Sequence, residues 1–502
     1  MYYLEWKKHM QNYKKLMGSI SIVTASYAAS RLLGFFREIL LAKWTGVSGA
    51  TDTLDLAFII PDFLFYLSAG GYLAITLIPL MSSKSEEELN NYFLSLLYGL
   101  SLVFILFSAI VFLFRYQLSE VLNVESPAFF IEVFTPIIFS QIFFFIGAIL
   151  MSYQYLKENF LYASLAPLVY NSTIIFFGWI NSSSPESTVK GFAIGTLVGS
   201  IIGHLIIQVI GASRSGLKYS FVPPRLRYLK EYLFISLPLV VGQSIAVIDE
   251  QLFRIFGSML TVGSVATFRY ARRIAILPVG IIAQAIGVAS YPLLARLFKA
   301  DEIEELVLLV RKQLSYLFLF NGAVMVFCLA NAESIISIIY ERGAFNSTNT
   351  LTVASIFSIV VFAILPWSMN QVLTRSYYVQ KIFWFPVISG TVVSVLTTIL
   401  LLVIDNRDAQ TYALLITLSL FVYSIYLLIN LKVKNIKILN LSLVKDVIKS
   451  CAILALSFFL SELLVFESTF IQLSTSFVSI VGLTFTFLVL LKFEYINITK
   501  RN

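Results

Sequence analysis

Ser30 to Ile39 reads SRLLGFFREI, and it lies in a run from Met17 to Ala42 whose other residues are apolar or small. A helix needs roughly 20 apolar residues to cross the hydrocarbon of a bilayer, so the run is long enough to span one. Arg31, Arg37 and Glu38 nevertheless stand in its middle. Ionisable groups at that depth cost about 2.5–3.5 kcal/mol each on insertion scales, and they persist where they line water or meet a ligand. The stretch therefore poses both the fold, a membrane-spanning helix, and the function, something charged inside it.

The rest of the chain repeats the pattern. Of 502 residues, 58% are hydrophobic and 13% charged, and the mean hydropathy is +0.85, far from the range of water-soluble domains. Fourteen apolar runs follow one another, at 17–42, 53–81, 92–114, 129–152, 160–181, 190–211, 232–256, 261–295, 313–331, 350–374, 383–404, 409–431, 447–465 and 471–491. Barrel strands would be about half as long and would alternate in polarity. The fold class is thus an all-α polytopic membrane protein with 14 transmembrane helices. With the N-terminus placed inside, 24 Lys and Arg fall in inner loops and tails and 5 in outer loops, which predicts both termini cytoplasmic. The same bias explains the net charge of +8 without a nucleic-acid partner. The first run exceeds signal-peptide length and has no small-residue cleavage site, so it is expected to stay as the first span. Cys328 and Cys451, both in predicted spans, offer no disulfide framework, and two His make a metal site unexpected.

An internal repeat organises the spans. Gly46–Pro61, GVSGATDTLDLAFIIP, matches Gly263–Pro278, GSVATFRYARRIAILP, in placing Gly fifteen residues before Pro. Tyr155–Pro167, YLKENFLYASLAP, matches Tyr378–Pro386, YVQKIFWFP. Two six-helix lobes related by pseudo-symmetry follow, 1–211 and 232–431, joined by a basic linker at 212–231 and followed by two additional helices within 447–491.

Intramembrane charges gather in the first two spans of each half: Arg31, Arg37, Glu38, Asp52, Asp55 and Asp62, then Asp249, Glu250, Arg254, Arg269, Arg272 and Arg273. At about 100° per residue Ser30 shares a stripe with Arg37, and Arg31 with Glu38, while the two arginines diverge by about 120°. Gly34 between them would permit a bend. Arg269, Arg272 and Arg273 stand at i, i+3 and i+4, on one face. Bland readings compete: Glu250 and Arg254 at i, i+4 would neutralise each other, Arg31 and Glu38 could pair, and Asp52 or Asp55 could cap a helix or face water. Arg269, Arg272 and Arg273 lack acids nearby in sequence, which favours an anionic ligand, and the planar guanidinium suits phosphate. No nucleotide-binding loop is present, so transport would draw on membrane potential, an ion gradient or downhill flow. No nucleophile, base and oxyanion set accompanies the charges, so an enzyme is not expected.

These stretches, with RYARRIAILPVGIIAQAIGVASYPLLARLF (Arg269–Phe298) and IIYERGAF (Ile338–Phe345), resemble the MurJ (MviN) family of bacterial lipid II flippases, within the multidrug/oligosaccharidyl-lipid/polysaccharide exporter superfamily. The resemblance implies alternating access by two lobes around a cationic cavity, carrying undecaprenyl-diphosphate-linked peptidoglycan precursor across the bacterial cytoplasmic membrane, with the last two helices forming a groove for the lipid tail. It implies substrate-binding roles for Ser30, Arg31, Arg37, Glu38, Asp52 and Arg273, with Gly34 added here by the bend it would permit and Arg269 and Arg272 by charge. Phe65 stands where the family usually has Arg, Gly70-Gly71 where it has Glu-Gly, and Arg272 where it commonly has Asp, as though cationic charge had moved from the second span to the eighth. Asp249 is the candidate for ion coupling, yet 383–404 holds no acid or Asn, which argues against sodium. The expected partners are lipid II and membrane lipids, and the expected state is a monomer without cofactors. Export of another lipid-linked oligosaccharide, or drug or ion antiport, are the alternatives.

Overall fold

A computed structural model describes residues 26, 28–68, 77–78, 80–82, 84–246, 248–405, 407–463, 469–490 and 495. It is helical nearly throughout; the strands among the described residues are the two-residue pair Lys432–Val433 and Ile436–Lys437. Nine helices among the described residues are long and apolar enough to cross a membrane: Glu88–Leu113, Pro127–Leu156, Leu161–Ile180, Pro185–Arg214, Val279–Lys299, Ile303–Ala330, Ser347–Val379, Trp384–Val403 and Ala409–Asn430. Helix is also described within each of the other five expected spans.

Helix starts follow local chemistry more closely than hydropathy. Ser126 before Pro127, Ser184 before Pro185, Asn346 and Asp408 each accept a hydrogen bond from the N–H three residues on, satisfying a donor that the first helical turn leaves over. Pro at the first helical position adds a preset φ. Three of these apolar runs, 129–152, 190–211 and 350–374, consequently begin two to five residues inside their helices, and the fourth begins with its helix at 409.

Two expected spans are interrupted. The run 53–81 is divided at Phe58 into helices Gly49–Ala57 and Ile59–Ser68, and Gly70-Gly71 lies outside the described residues. The run 261–295 is divided into Ser264–Ala275, a π-helical turn Val279–Ala283 and Gln284–Lys299. Pro61 and Pro278 stand just after these breaks; a proline removes an N–H and crowds the carbonyl four residues before it. The arginine-bearing helix is therefore a separate element from the apolar crossing segment.

The sequence repeat reappears as repeated local geometry. Gly46 and Gly263 both take positive φ, +60° and +92°, a few residues ahead of corresponding helices. Glu158 and Lys381 are left-handed too, at φ 56° and 62°. In the first of these turns Glu158 N–H donates to Tyr155 C=O and Asn159 N–H to Gln154 C=O; in the second Lys381 N–H donates to Tyr378 C=O and Ile382 N–H to Tyr377 C=O.

Cα packing divides the chain into two compact units, Met1–Ala246 with Arg342–Phe345, and Val247–Glu341 with Asn346–Asn502. The break after Ala246 falls inside the expected span 232–256, later than the linker at 212–231. In the first unit Phe93, Phe130, Phe134, Ile137 and Ile149 are fully buried. Its turn Arg342–Phe345 is secured by Ala344 N–H donating to Lys43 C=O at 2.8 Å. Gly343, at φ +63°, has that same carbonyl 2.4 Å from where a Cβ would stand, so no other residue fits. In the second unit the buried core includes Tyr270, Tyr340, Phe357 and Tyr412.

Candidate functional site

In the first unit the helix over residues 28–45 carries the opening charges. Gly34, Glu38, Leu41 and Thr45 are buried; spaced at i, i+4, i+7 and i+11, they form one stripe. Taking Gly34 as origin, Arg31 and Arg37 lie about 60° to either side of it, so they flank the buried stripe. Phe36, 49% exposed, points the opposite way, with Leu33 and Leu40, toward a groove of about 550 Å³ shared with Phe176 and Trp179. The helix runs unbroken through Gly34, so the bend that glycine would permit is not used as a break. A Cβ there would stand 3.9 Å from the Asn171 side chain, in ordinary contact.

Arg37 Nη2 donates to Glu38 Oε1 at 2.9 Å, with the carboxylate side chain 2% exposed and the guanidinium 20%. Arg31 is exposed and Ser30 half-buried. Asp52 sits in the first turn of Gly49–Ala57, where the helix dipole favours an anion. The cap of that helix is Ser48, and Asp52 and Asp55 are 9% and 2% exposed. Neither aspartate caps the helix or faces water, contrary to the bland expectation. Thr51 Oγ1 donates to Thr45 Oγ1 at 2.8 Å and thereby joins this helix to the end of the one over residues 28–45. Tyr170, in Leu161–Ile180, lies close enough to Arg37 and Asp62 to feel both charges.

In the second unit Arg272 is the hub of a charged cluster. Its Nε donates to Asp249 Oδ2 at 3.1 Å and its Nη1 to Glu250 Oε2 at 2.8 Å. Arg254 Nη2 reaches the other Glu250 oxygen at 2.9 Å, which is the expected i, i+4 pair. The Arg272 guanidinium lies 5.3 Å from the centroid of the Trp367 ring, a cation–π contact. Arg273 and Arg269 also act electrostatically on Glu250. Arg269 is half-buried and Arg273 exposed. Among the described residues the cluster holds four arginines and two carboxylates.

The structure thus brings together Arg37 with Glu38, and Asp249, Glu250, Arg254 and Arg272 with one another. Tyr170, Asn171 and Trp367 join the two groups without any signal in their own segments: an aromatic or amide in an apolar run has no helix-phase signature of its own. Arg269 or Arg272 is the expected stand-in for the arginine absent at Phe65; the Arg272 fork is directed at two carboxylates.

The family model of lipid II flippase MurJ matches residues 41–485. The chain belongs to the MurJ family. The matched stretch includes Asp52, Asp249 and the three arginines of Ser264–Ala275; Ser30 to Glu38 lie just before it. Curated relatives include the probable lipid II flippase MurJ of Rhizobium tropici, 25% identical over 70% of this chain and 68% of the relative. Lipid II flippase MurJ of Thermosipho africanus is 26% identical, over 84% of this chain and 87% of that one. Among solved structures, a lipid II flippase MurJ in an inward closed conformation superposes with a TM-score of 0.79 at 22% identity, covering 93% of this chain and 98% of that one. That likeness establishes the fold of this MurJ-family chain.

Proposed function

We infer that this chain is a lipid II flippase, moving the undecaprenyl-diphosphate-linked peptidoglycan precursor from the inner to the outer leaflet of the bacterial cytoplasmic membrane. The observation that carries the reading is the family match over 41–485. It agrees with the chemistry of the second unit, where Arg254, Arg269, Arg272 and Arg273 stand with Asp249 and Glu250, and with the presence of Arg31 and Arg37 in the first. A diphosphate offers oxygens spaced for paired, charge-assisted hydrogen bonds from guanidinium groups, and it is the one strongly anionic part of such a lipid. The reading assigns headgroup contact to Arg31, Arg37 and Arg273 and gives Glu38, Asp249 and Glu250 the role of holding arginines in place while the cavity is empty. Two six-helix lobes would expose the site alternately to each side, with both termini in the cytoplasm. Export of a different lipid-linked oligosaccharide is not favoured by the relatives this chain matches.

The test is rescue of a bacterium depleted of its own lipid II flippase by this gene supplied in trans. Restored growth and outward appearance of labelled lipid II are expected. Growth arrest with lipid II held in the inner leaflet, despite correct insertion of the chain, would assign it another cargo.

A further inference from the structure

The segment between the Ile207–Arg214 and Leu226–Ala246 helices has no regular structure from Leu217 to Arg225, yet it is fastened along the Glu86–Leu113 helix. Asn90 Nδ2 donates to Lys218 C=O at 2.9 Å while Asn90 Oδ1 accepts from Lys218 N–H at 3.0 Å. Tyr98 Oη donates to Ser220 C=O at 3.0 Å. Ser95 Oγ donates to Pro223 C=O at 3.1 Å and accepts from Arg225 N–H at 2.9 Å. Leu217 and Leu229 are buried at either end, 3% and 8% exposed. A Cβ on Gly99 would stand 3.0 Å from Leu229 and 3.2 Å from Pro224, so this strap lies close on the helix.

What the strap turns outward is unusual for a loop. Lys218, Arg225, Arg227 and Lys230 are exposed, and between and beside them Phe221 is 84% exposed, Leu226 73% and Phe234 84%. Leu226, Lys230 and Phe234 fall within about 80° on the helix that follows. Glu231 is the acid nearby, and its carboxylate accepts from Tyr92 Oη at 3.4 Å. Large apolar side chains at such exposure are unfavourable in water, and four cations are unfavourable in hydrocarbon; both are satisfied at a headgroup boundary, where rings enter the acyl layer and cations meet phosphate.

We propose that this strap is a preformed docking surface for anionic phospholipid headgroups, with Lys218, Arg225, Arg227 and Lys230 engaging phosphates while Phe221, Leu226 and Phe234 insert beside them. Charge complementarity selects anionic over zwitterionic lipid. The exposed rings and leucine select a bilayer lipid over a soluble phosphate. The site shares no residue with the transport charges, so its occupation would make lipid composition an input to the protein that does not pass through the cargo.

The experiment titrates the purified full-length chain in detergent with fluorescent phosphatidylglycerol and with phosphatidylcholine of the same chain length. Each basic residue at an anionic surface contributes about fivefold to affinity. The triple variant Arg225→Gln, Arg227→Gln, Lys230→Gln is expected to lose at least tenfold in phosphatidylglycerol affinity. Lys432→Gln, Lys434→Gln, Lys437→Gln, an equal loss of charge on the strand pair, is expected to change it less than twofold. Asn90→Leu with Ser95→Ala keeps every charge and should weaken binding several-fold, because the strap is no longer held; thermal midpoints verify that each variant is folded. Equal losses in the two triple variants, undiminished affinity in Asn90→Leu/Ser95→Ala, or full competition by soluble glycerophosphoglycerol would each overturn the proposal.

Discussion

At Arg272 one guanidinium holds two carboxylates, Asp249 at 6% exposure and Glu250 at 25%. Removing it takes away the guanidinium that bridges the two, while Arg254 still pairs with Glu250 at 2.9 Å. Breaking a buried pair is costly because the remaining charge is unpaired and desolvated. Arg272→Ala is therefore expected to reduce stability by on the order of 3 kcal/mol, read as a lowered thermal midpoint of the purified chain; an unchanged midpoint would show that the carboxylates need no such partner. Arg273, exposed on the same helix, should behave in the opposite way. Arg273→Ala is expected to shift stability by less than about 0.5 kcal/mol and to cut lipid II flipping at least tenfold. The arginines themselves, and their placement on a few helix stripes, were legible in the sequence because charge inside an apolar run stands out and helix phase is fixed. Partner choice was not: Asp249 and Arg272 are 23 residues apart, on different helices, and no pattern within one helix encodes that meeting.

Elements were legible where hydropathy and caps agree, and less so where glycine and proline act at a distance. Gly147, in Pro127–Leu156, lies against the π-helical turn Ser200–Ile206; a Cβ there would be 2.3 Å from the His204 carbonyl oxygen. Backbone cannot swing aside as a side-chain tip can. Gly147→Ala should cost about 1–3 kcal/mol by forcing the two helices apart, measurable as a thermal shift, whereas a null effect would mean that the turn relaxes freely. The last two helices, Leu441–Leu463 and Thr469–Leu490, are the pair expected to form a groove for the lipid tail. Asn331 Nδ2 donates to Ser476 Oγ at 2.7 Å, and Ser476 meets Ser461 at 2.7 Å, all buried. At the other end Arg311 donates to the Lys437 and Ile438 carbonyls, and Tyr495 N–H donates to Asp446 at 3.1 Å. The Asn331 contact holds the pair at the end of Ile303–Ala330, and Ser315 Oγ reaches Asp446 Oδ2 at 3.5 Å near the other end, while Phe459, Val478 and Phe485 remain 60–68% exposed, as a lipid-facing surface requires. Asn331→Leu is expected to cost about 1–2 kcal/mol and to speed hydrogen exchange selectively in Leu441–Leu463 and Thr469–Leu490; uniform exchange across the chain would deny that the contact holds this pair in particular.

For the molecule as a whole, the proposed mechanism requires cationic groups from both compact units to act on one diphosphate during the cycle. Arg37 belongs to the first unit and Arg273 to the second. Charge-assisted hydrogen bonds of this kind contribute about 1.5–3 kcal/mol each. If both arginines hold the same headgroup, loss of one lets the diphosphate reorient, and loss of the second then costs less than it would alone. Binding of a short-chain lipid diphosphate to the purified chain, measured for Arg37→Ala, Arg273→Ala and the double variant, should therefore show an interaction energy of about 0.5–3 kcal/mol. The sequence could propose this convergence through its repeat, since Gly46–Pro61 and Gly263–Pro278 give each half the same entry to its charged helices. It could not supply the coupling, which would require helices hundreds of residues apart to meet one ligand. Strictly additive losses, within about 0.5 kcal/mol, would place the two arginines in separate sites. The single shared diphosphate would then have to give way to a relay, in which one unit receives the headgroup before the other releases it.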